Sequence, residues 1–514
     1  MNYLKSLINF TKITGFGKPI GLLLLILSCQ LWGRQLSATA QSSTVPMQGA
    51  KQVDSSQSIC PAQLSAAIDA IANRPQFNRA RWGILIQSLA SNQTLYNRDA
   101  QQYFIPASNT KLLTTAAALR QLGSQYRIRT SVYGSNGVVR VVGRGDPSLT
   151  DAQLKDLAQQ LKQQGITQVK QLILHDDYFQ SPILHPTWEW EDVNADYGAP
   201  INSLILNQNV LSLTLLPQRL GQPLQFRWND PFASLQWQVE NKAVTAQPKS
   251  ENTLEIAGFL GKPVLQIRGQ LSADSEPEKI DLPVRDPAEN FLQHFRQSLQ
   301  LEGITVTQAM VASRNQSTNE PELAAVESPP LSQLITDTNQ PSNNVYAESL
   351  LQTIGATKFV CSNEVSSNCN VSTTEKGLTV LKATLTDMGV DPQTYVIKDG
   401  SGLSRHNLIS PIALVQLLKG MSRLPEAEIY RVSLPVAGVS GTLKNRFKNT
   451  SAQRIVQAKT GTMTGVSSLS GYVDAPNYER LVFSIMVNQS DQPVRIVREG
   501  IDEIVVLLTR LRRC

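Results

Sequence analysis

The stretch Pro106-Ala107-Ser108-Asn109-Thr110-Lys111, with the run Leu112-Leu113-Thr114-Thr115-Ala116-Ala117-Ala118-Leu119 behind it, constrains the chain most. Ala and Leu favour helix, and Pro106 suits a first helical turn, where its missing N–H is not needed. The run carries no charge, so its helix belongs in a core. Ser108 and Lys111 then share one helix face. A Ser hydroxyl is a weak nucleophile until a base takes its proton. A Lys amine serves as that base once burial or a second cation lowers its pKa. The free N–H groups at the start of a buried helix offer donors to a developing oxyanion. An acylation centre is the expectation, and no second Ser-x-x-Lys occurs in the chain.

Two later stretches give that expectation its weight. One is Pro341-Ser342-Asn343-Asn344, leading into the helical pattern Val345–Leu351; the other is Ala458-Lys459-Thr460-Gly461-Thr462. Singly, the first reads as a helix cap and the second as the end of a hairpin strand. Ser-x-x-Lys, Ser-x-Asn and Lys-Thr-Gly in that order resemble the signature of serine penicillin-recognising enzymes.

A chain of 514 residues holds two or more domains. Ser342 follows Lys111 by 231 positions, far more than a loop needs, so one or two inserted domains are expected there. The start reads as a signal peptide over residues 1–40: Lys5, Lys12 and Lys18, the apolar run Ile20–Leu27, then Ala38-Thr39-Ala40 as a cleavage site. Lipoprotein processing at Ile26-Leu27-Ser28-Cys29 is the second reading. The leader holds four basic residues and no acid. Its removal lowers the net charge from +6 to +2 and leaves nothing that points to a nucleic-acid partner. Export to the periplasm or cell envelope is expected, with membrane association if the leader is retained or lipidated. Cys60, Cys361, Cys369 and Cys514 then remain, an even number suited to disulfides. Cys361–Cys369 would close a Ser/Asn-rich loop, and Cys60–Cys514 would form if the chain ends meet. The four histidines are scattered and Cys-x-x-Cys is absent, so neither a metal nor a cofactor is expected.

Residues 41–58 are Ser/Gln-rich linker. Helical spacing over Pro61–Asn73, strands over Trp82–Leu89 and Thr94–Asn97, and the Ser108 helix predict a first catalytic segment, 59–125. Strand-like runs dominate 126–330, with helical stretches at Asp151–Gln164 and Ala288–Glu302 and a surface linker at 314–330. A second catalytic segment, 331–514, opens with helices to Leu424. It closes with strands Gln457–Thr462, Ser467–Val473 and Arg480–Val487 and a last helix, Val494–Arg510. The fold class is α+β: an antiparallel sheet with strands from both ends of the chain, flanked by helices, plus a β-rich insertion.

Further segments extend the resemblance over nearly the whole mature chain: Asp399-Gly400-Ser401-Gly402-Leu403-Ser404-Arg405, Gly143-Arg144-Gly145-Asp146-Pro147, and Leu434–Gly438 with Gly441-Thr442-Leu443. The chain resembles the penicillin-binding protein 4 type of D-alanyl-D-alanine carboxypeptidase/endopeptidase, peptidase family S13. The resemblance implies a β-lactamase/transpeptidase-like catalytic domain. Ser108 would be the nucleophile and Lys111 its base. Ser342 and Lys459 would relay a proton to the leaving amine, and Asn344 would orient Lys111 and the substrate amide. The N–H groups of Ser108 and Thr462 would form an oxyanion hole. Thr460 and Thr462, about Gly461, would hold the terminal carboxylate. Lys459 would add positive charge for an anionic substrate and depress the pKa of Lys111. Asp192 in Trp188-Glu189-Trp190-Glu191-Asp192 would pair with the amine of a diaminopimelate side chain, Arg405 with its carboxylate, and Tyr197 would line the wall. Peptidoglycan stem peptides and β-lactam antibiotics are the implied partners. A transpeptidase and a catalytically dead wall-binding protein are the rivals. A β-lactamase is disfavoured, because Glu320-Pro321-Glu322 precedes Ser342 and reads as linker.

Overall fold

The computed structural model describes residues 58–259, 261–312, 320–361 and 370–514. The leader and the Cys361–Cys369 pairing, which needs Cys369, lie outside the described residues.

Helix α1 (Pro61–Ala72), strands β1 (Arg81–Ser88) and β2 (Thr94–Arg98) and helix α2 (Thr110–Leu122) come first. Next are β3 (Arg129–Ser135), β4 (Val138–Val142), α3 (Asp151–Gln163) and β5 (Gln168–His175). A long loop leads to β6 (Val210–Leu216), β7 (Gln225–Trp228), the single turn α4 (Ala233–Gln236), β8 (Gln238–Asn241) and β9 (Val244–Ala246). Then come β10 (Thr253–Gly258), β11 (Val264–Ser272), β12 (Glu278–Pro283), α5 (Pro287–Leu301), β13 (Thr305–Ala312) and β14 (Glu322–Glu327). The last part holds α6 (Leu331–Asn339), α7 (Asn344–Lys358), α8 (Thr373–Asp387), β15 (Tyr395–Val396), β16 (Leu408–Ile409), α9 (Pro411–Met421) and α10 (Ala427–Val432). It ends with β17 (Val456–Met463), β18 (Val466–Val473), β19 (Leu481–Asn488) and α11 (Val494–Thr509).

The sheet that carries the motifs runs β17-β18-β19-β1-β2, every pair antiparallel. Arg81 faces Asn488 and Ser88 faces Leu481, so the first and last strands of the chain are central neighbours. Successive side chains alternate faces. Ile84 and Ile86 join α1 and α11 in one core, while Leu85 joins α2, α7, α8 and α9 in another. With helices on both faces, β19 is buried along its whole length, which accounts for its apolar run, broken before Asn488 only by Ser484. Ile59 bridges Leu511, and Cys60 is disulfide-bonded to Cys514 with Cα atoms 5.8 Å apart.

Between α2 and α6 the chain builds a mixed sheet, β13-β5-β4-β3-β14, against α3 and α5. Smaller sheets, β12-β6-β7 and β10-β11-β8, share the core of Leu213, Leu215, Trp237 and Ile267. One expectation fails here. Within 314–330, read as linker, Glu322–Glu327 is an edge strand on β3. Its acids are held by Arg129, 2.6 Å from Glu322 and 2.9 Å from Glu327, and Ala324 is buried. Among the described residues no helix is long and apolar enough to cross a membrane.

Candidate active site

Ala107–Asn109 forms one turn of 3-10 helix, and the α-helix begins at Thr110. In a 3-10 turn, positions i and i+3 eclipse, so Ser108 and Lys111 meet on one face. Lys111 Nζ lies 3.1 Å from Ser108 Oγ, 2.6 Å from Asn344 Oδ1 and 2.7 Å from the Ser401 carbonyl oxygen. Its side chain is fully buried. Burial pulls its pKa down to about 7, against the charges of Asp399 and Glu348, which pull it up. An amine so placed is neutral over the upper half of the physiological range and can accept a hydroxyl proton. Ala107, at φ 49°, sits in the left-handed region beside Ser108.

Ser342 lies between α6 and α7 with φ 67°, a conformation that costs a non-Gly residue of order 1–3 kcal/mol. Asn343 caps α7 by accepting from the Tyr346 N–H, which sets Asn344 as the first helical residue. Lys459, buried on the edge strand β17, donates to Ser342 Oγ at 2.8 Å and to the Thr460 carbonyl at 2.9 Å. Burial, then the charge of Lys111, holds its pKa well below the usual range. Glycine at 461 is required sterically: a Cβ there would lie 2.5 Å from the Pro106 carbonyl and 3.1 Å from the Ser108 nitrogen. Its absence lets β17 close on the Ser108 turn.

Two buried acids behind the site were not foreseen in any role. Glu348, one turn beyond Asn344 on α7, accepts from the Gly400 N–H at 3.0 Å and the Ser401 N–H at 2.7 Å. Burial, then the neighbouring Asp399 charge, pushes its carboxyl up. Asp399 accepts from Gly402, Ser404, Asn407 and, at 3.0 Å, the Trp188 indole N–H. Together they fix the 399–404 loop so that the Ser401 carbonyl faces Lys111. Gly402, at φ 84°, passes where a Cβ would strike the Ala107 carbonyl. The helical register, with Asn344 and Glu348 four apart, is the one sequence sign that they share a face.

A cleft of about 770 Å³ opens over these groups. Its floor includes Ser108, Ser342, Asn344 and Thr462, and its outer wall Glu189, Asp192, Tyr197 and Arg405. Phe179, Trp188, Ile201 and Ile205 from the loop after β5 pack on Val345 and Leu403, which seats that wall against the motif residues. Tyr197 also accepts, through its carbonyl, from Asn344 Nδ2 at 2.7 Å.

Three placements differ from expectation. Thr460 is buried, donates to Thr442 Oγ1 and does not line the cleft, unlike Thr462. Arg405 is already paired with Glu189, Nε to Oε2 2.9 Å, and also donates to the Thr464 carbonyl. Lys459 is too deeply buried to be the fixed positive charge facing an anion. Asp192 accepts from the Glu189 N–H, and burial pushes its carboxyl up.

The profile of the D-Ala-D-Ala carboxypeptidase 3 (S13) family matches residues 64–511. The chain is 34% identical over 457 residues to a D-alanyl-D-alanine carboxypeptidase of Actinomadura sp. (strain R39), covering 84% of this chain and 82% of the relative. It is 29% identical to the penicillin-sensitive carboxypeptidase A of Dictyostelium discoideum, covering 84% and 87%. The fold matches that of penicillin binding protein 4 from Haemophilus influenzae, with a TM-score of 0.72 at 22% identity, over 86% of this chain and 98% of that one. On the length of the profile match and the identity to the Actinomadura enzyme, the chain belongs to the S13 peptidase family.

Proposed function

We propose that this protein is a serine-type D-Ala-D-Ala carboxypeptidase of peptidoglycan stem peptides, with endopeptidase action on the same acyl-enzyme site, and that penicillins block it. The observation that carries this reading is the buried Lys111 amine, 3.1 Å from Ser108 Oγ and 2.6 Å from Asn344 Oδ1. Ser108 Oγ adds to the scissile carbonyl as its proton passes to Lys111 Nζ. The oxyanion is met by N–H groups at the Ser108 turn and Thr462, each worth about 3–4 kcal/mol in other acyl-transfer sites. The proton that Lys111 took from Ser108 passes on to the leaving amine through the Ser342 hydroxyl, which Lys459 holds at 2.8 Å. The C–N bond breaks, the D-amino acid leaves, and water then cleaves the Ser108 ester.

The same reading divides the chain into a leader (1–40), a linker (41–58), a catalytic domain in two pieces (59–125 and 331–514) and inserted domains (126–330), exported to the periplasm or cell envelope. It is supported by the motif sheet, which takes strands from both chain ends. The test is labelling by a fluorescent penicillin, with release of D-Ala from a pentapeptide stem measured in parallel. The native protein is expected to label on the Ser108 peptide and release D-Ala, and Ser108→Ala to do neither. A Ser108→Ala protein that still labels, or a native one that releases no D-Ala, refutes the reading. Capture of an acceptor amine instead of water would make it a transpeptidase.

A further inference from the structure

Among the described residues four cations stand at or just behind the cleft, and three are not free to act as a fixed charge for the terminal carboxylate. Lys111 and Lys459 are buried, with their pKa values pulled down. Arg405, on the outer wall, is paired with Glu189 at 2.9 Å. The fourth is Arg498, in the second turn of α11, whose first residue, Val494, also lines the cleft. Arg498 Nη2 donates to Thr462 Oγ1 at 2.9 Å. Among the described residues it forms no ion pair of its own. The acid one turn on, Asp502, is held by Arg446 in an ion pair. Arg498 is left with only the longer-range charge of Asp502. Burial, then the Arg446 charge, disfavours the Arg498 cation, with Asp502 opposing. A half-buried guanidinium in that position gains from an anion brought within reach.

Thr462 decides where that anion sits. A hydroxyl has one proton and two lone pairs. With a lone pair engaged by Arg498, its proton remains free to be donated into the cleft. We infer that Arg498 is a positioning and specificity-determining residue for the terminal carboxylate of the substrate, acting through the Thr462 hydroxyl and by its own charge. This rests on the carboxypeptidase reading above and names the cation that recognises the substrate terminus. It also assigns the carboxylate to the Thr462 side, since Thr460 is turned to Thr442.

The experiment compares an N-acetylated Lys-D-Ala-D-Ala peptide with the same peptide ending in a carboxamide, on native, Arg498→Met and Arg498→Lys enzymes. The native enzyme is expected to prefer the free carboxylate. Arg498→Met should raise KM for it roughly ten- to a hundredfold, the loss of one charge-assisted contact, with kcat changed less than about threefold. Its kcat/KM for the carboxamide should stay near native, so the preference collapses. Arg498→Lys should restore part of it, and added salt should erode the preference only where a cation is present. Unchanged discrimination in Arg498→Met overturns the inference, as does an equal loss on both peptides in both variants, which marks a structural role. A native enzyme that cleaves neither peptide refutes the carboxypeptidase reading itself, a result distinct from lost discrimination in an active enzyme.

Discussion

At the scale of single residues, the amine of Lys111 sets the pH behaviour. With its pKa drawn to about 7 by burial, the acylation rate should climb as pH rises through 7 and level above it, because only the neutral amine accepts the Ser108 proton. Stopped-flow acylation by a chromogenic β-lactam between pH 5.5 and 9 measures this; a flat profile would remove Lys111 from the role. Lys111→Ala should cost about 10²–10⁴-fold in that rate, the usual worth of a positioned base. Glu348→Ala should lower kcat by roughly ten- to a hundredfold, the effect of about 1–3 kcal/mol from buried N–H groups left without their acceptor, while KM holds within about twofold. The five motif residues were legible because fixed chemistry demands fixed spacing. Glu348 was not, because a Glu in a helical stretch ordinarily faces water. The partners that bury it lie about fifty positions downstream, in a loop whose path no local pattern encodes.

At the scale of elements, the loop after β5 forms the outer wall, and Glu189 within it competes for Arg405. A substrate carboxylate reaching Arg405 has to displace Glu189. Glu189→Gln should therefore lower KM several-fold for stems carrying a diaminopimelate carboxylate, an exposed charge contact worth about 1 kcal/mol. It should do nothing for stems carrying lysine. Asp192→Ala or Arg405→Ala should weaken cleavage of diaminopimelate peptides and leave penicillin acylation largely intact, as read by parallel peptide and penicillin assays; loss of both together would mark a structural role. The helices and motif strands were readable from period and length, whereas β14 was not. Its partner β3 lies about 190 positions upstream, and Glu320-Pro321 in front of it carries the composition of a linker.

At the scale of the whole molecule, His294 on α5 ties two parts of the middle region together, with Nδ1 2.7 Å from Asp151 at the start of α3 and Nε2 2.8 Å from Asp230. Burial lowers its pKa, but hydrogen bonds and charge from the two acids outweigh that and raise it to about 9. A raised folded value makes the charged form stabilising below the ordinary value of 6.5, and this support is lost as pH rises through 9. His294→Gln should thus lower the Tm at pH 6 and matter little at pH 10, by thermal melts at the two pH values. The Cys60–Cys514 bond ties the residue before α1 to the segment after α11. Cys60→Ser with Cys514→Ser should cost about 2–5 kcal/mol by denaturant melts, since so long a loop frees much unfolded-chain entropy. The central pairing of β1 with β19 also has a temporal meaning. A ribosome or a translocation channel delivers the chain from one end, and β1, which meets β2 at once, waits for nearly four hundred later residues before its other neighbour, β19, exists. The middle strands find partners among themselves much sooner. Pairings this remote in sequence form slowly and leave edges exposed meanwhile. All five motif residues precede position 475, yet a chain ending there lacks the strand that joins β18 to β1. Such a truncated polypeptide, with its chemistry complete on paper, should take up no penicillin: competence arrives only with the final forty residues.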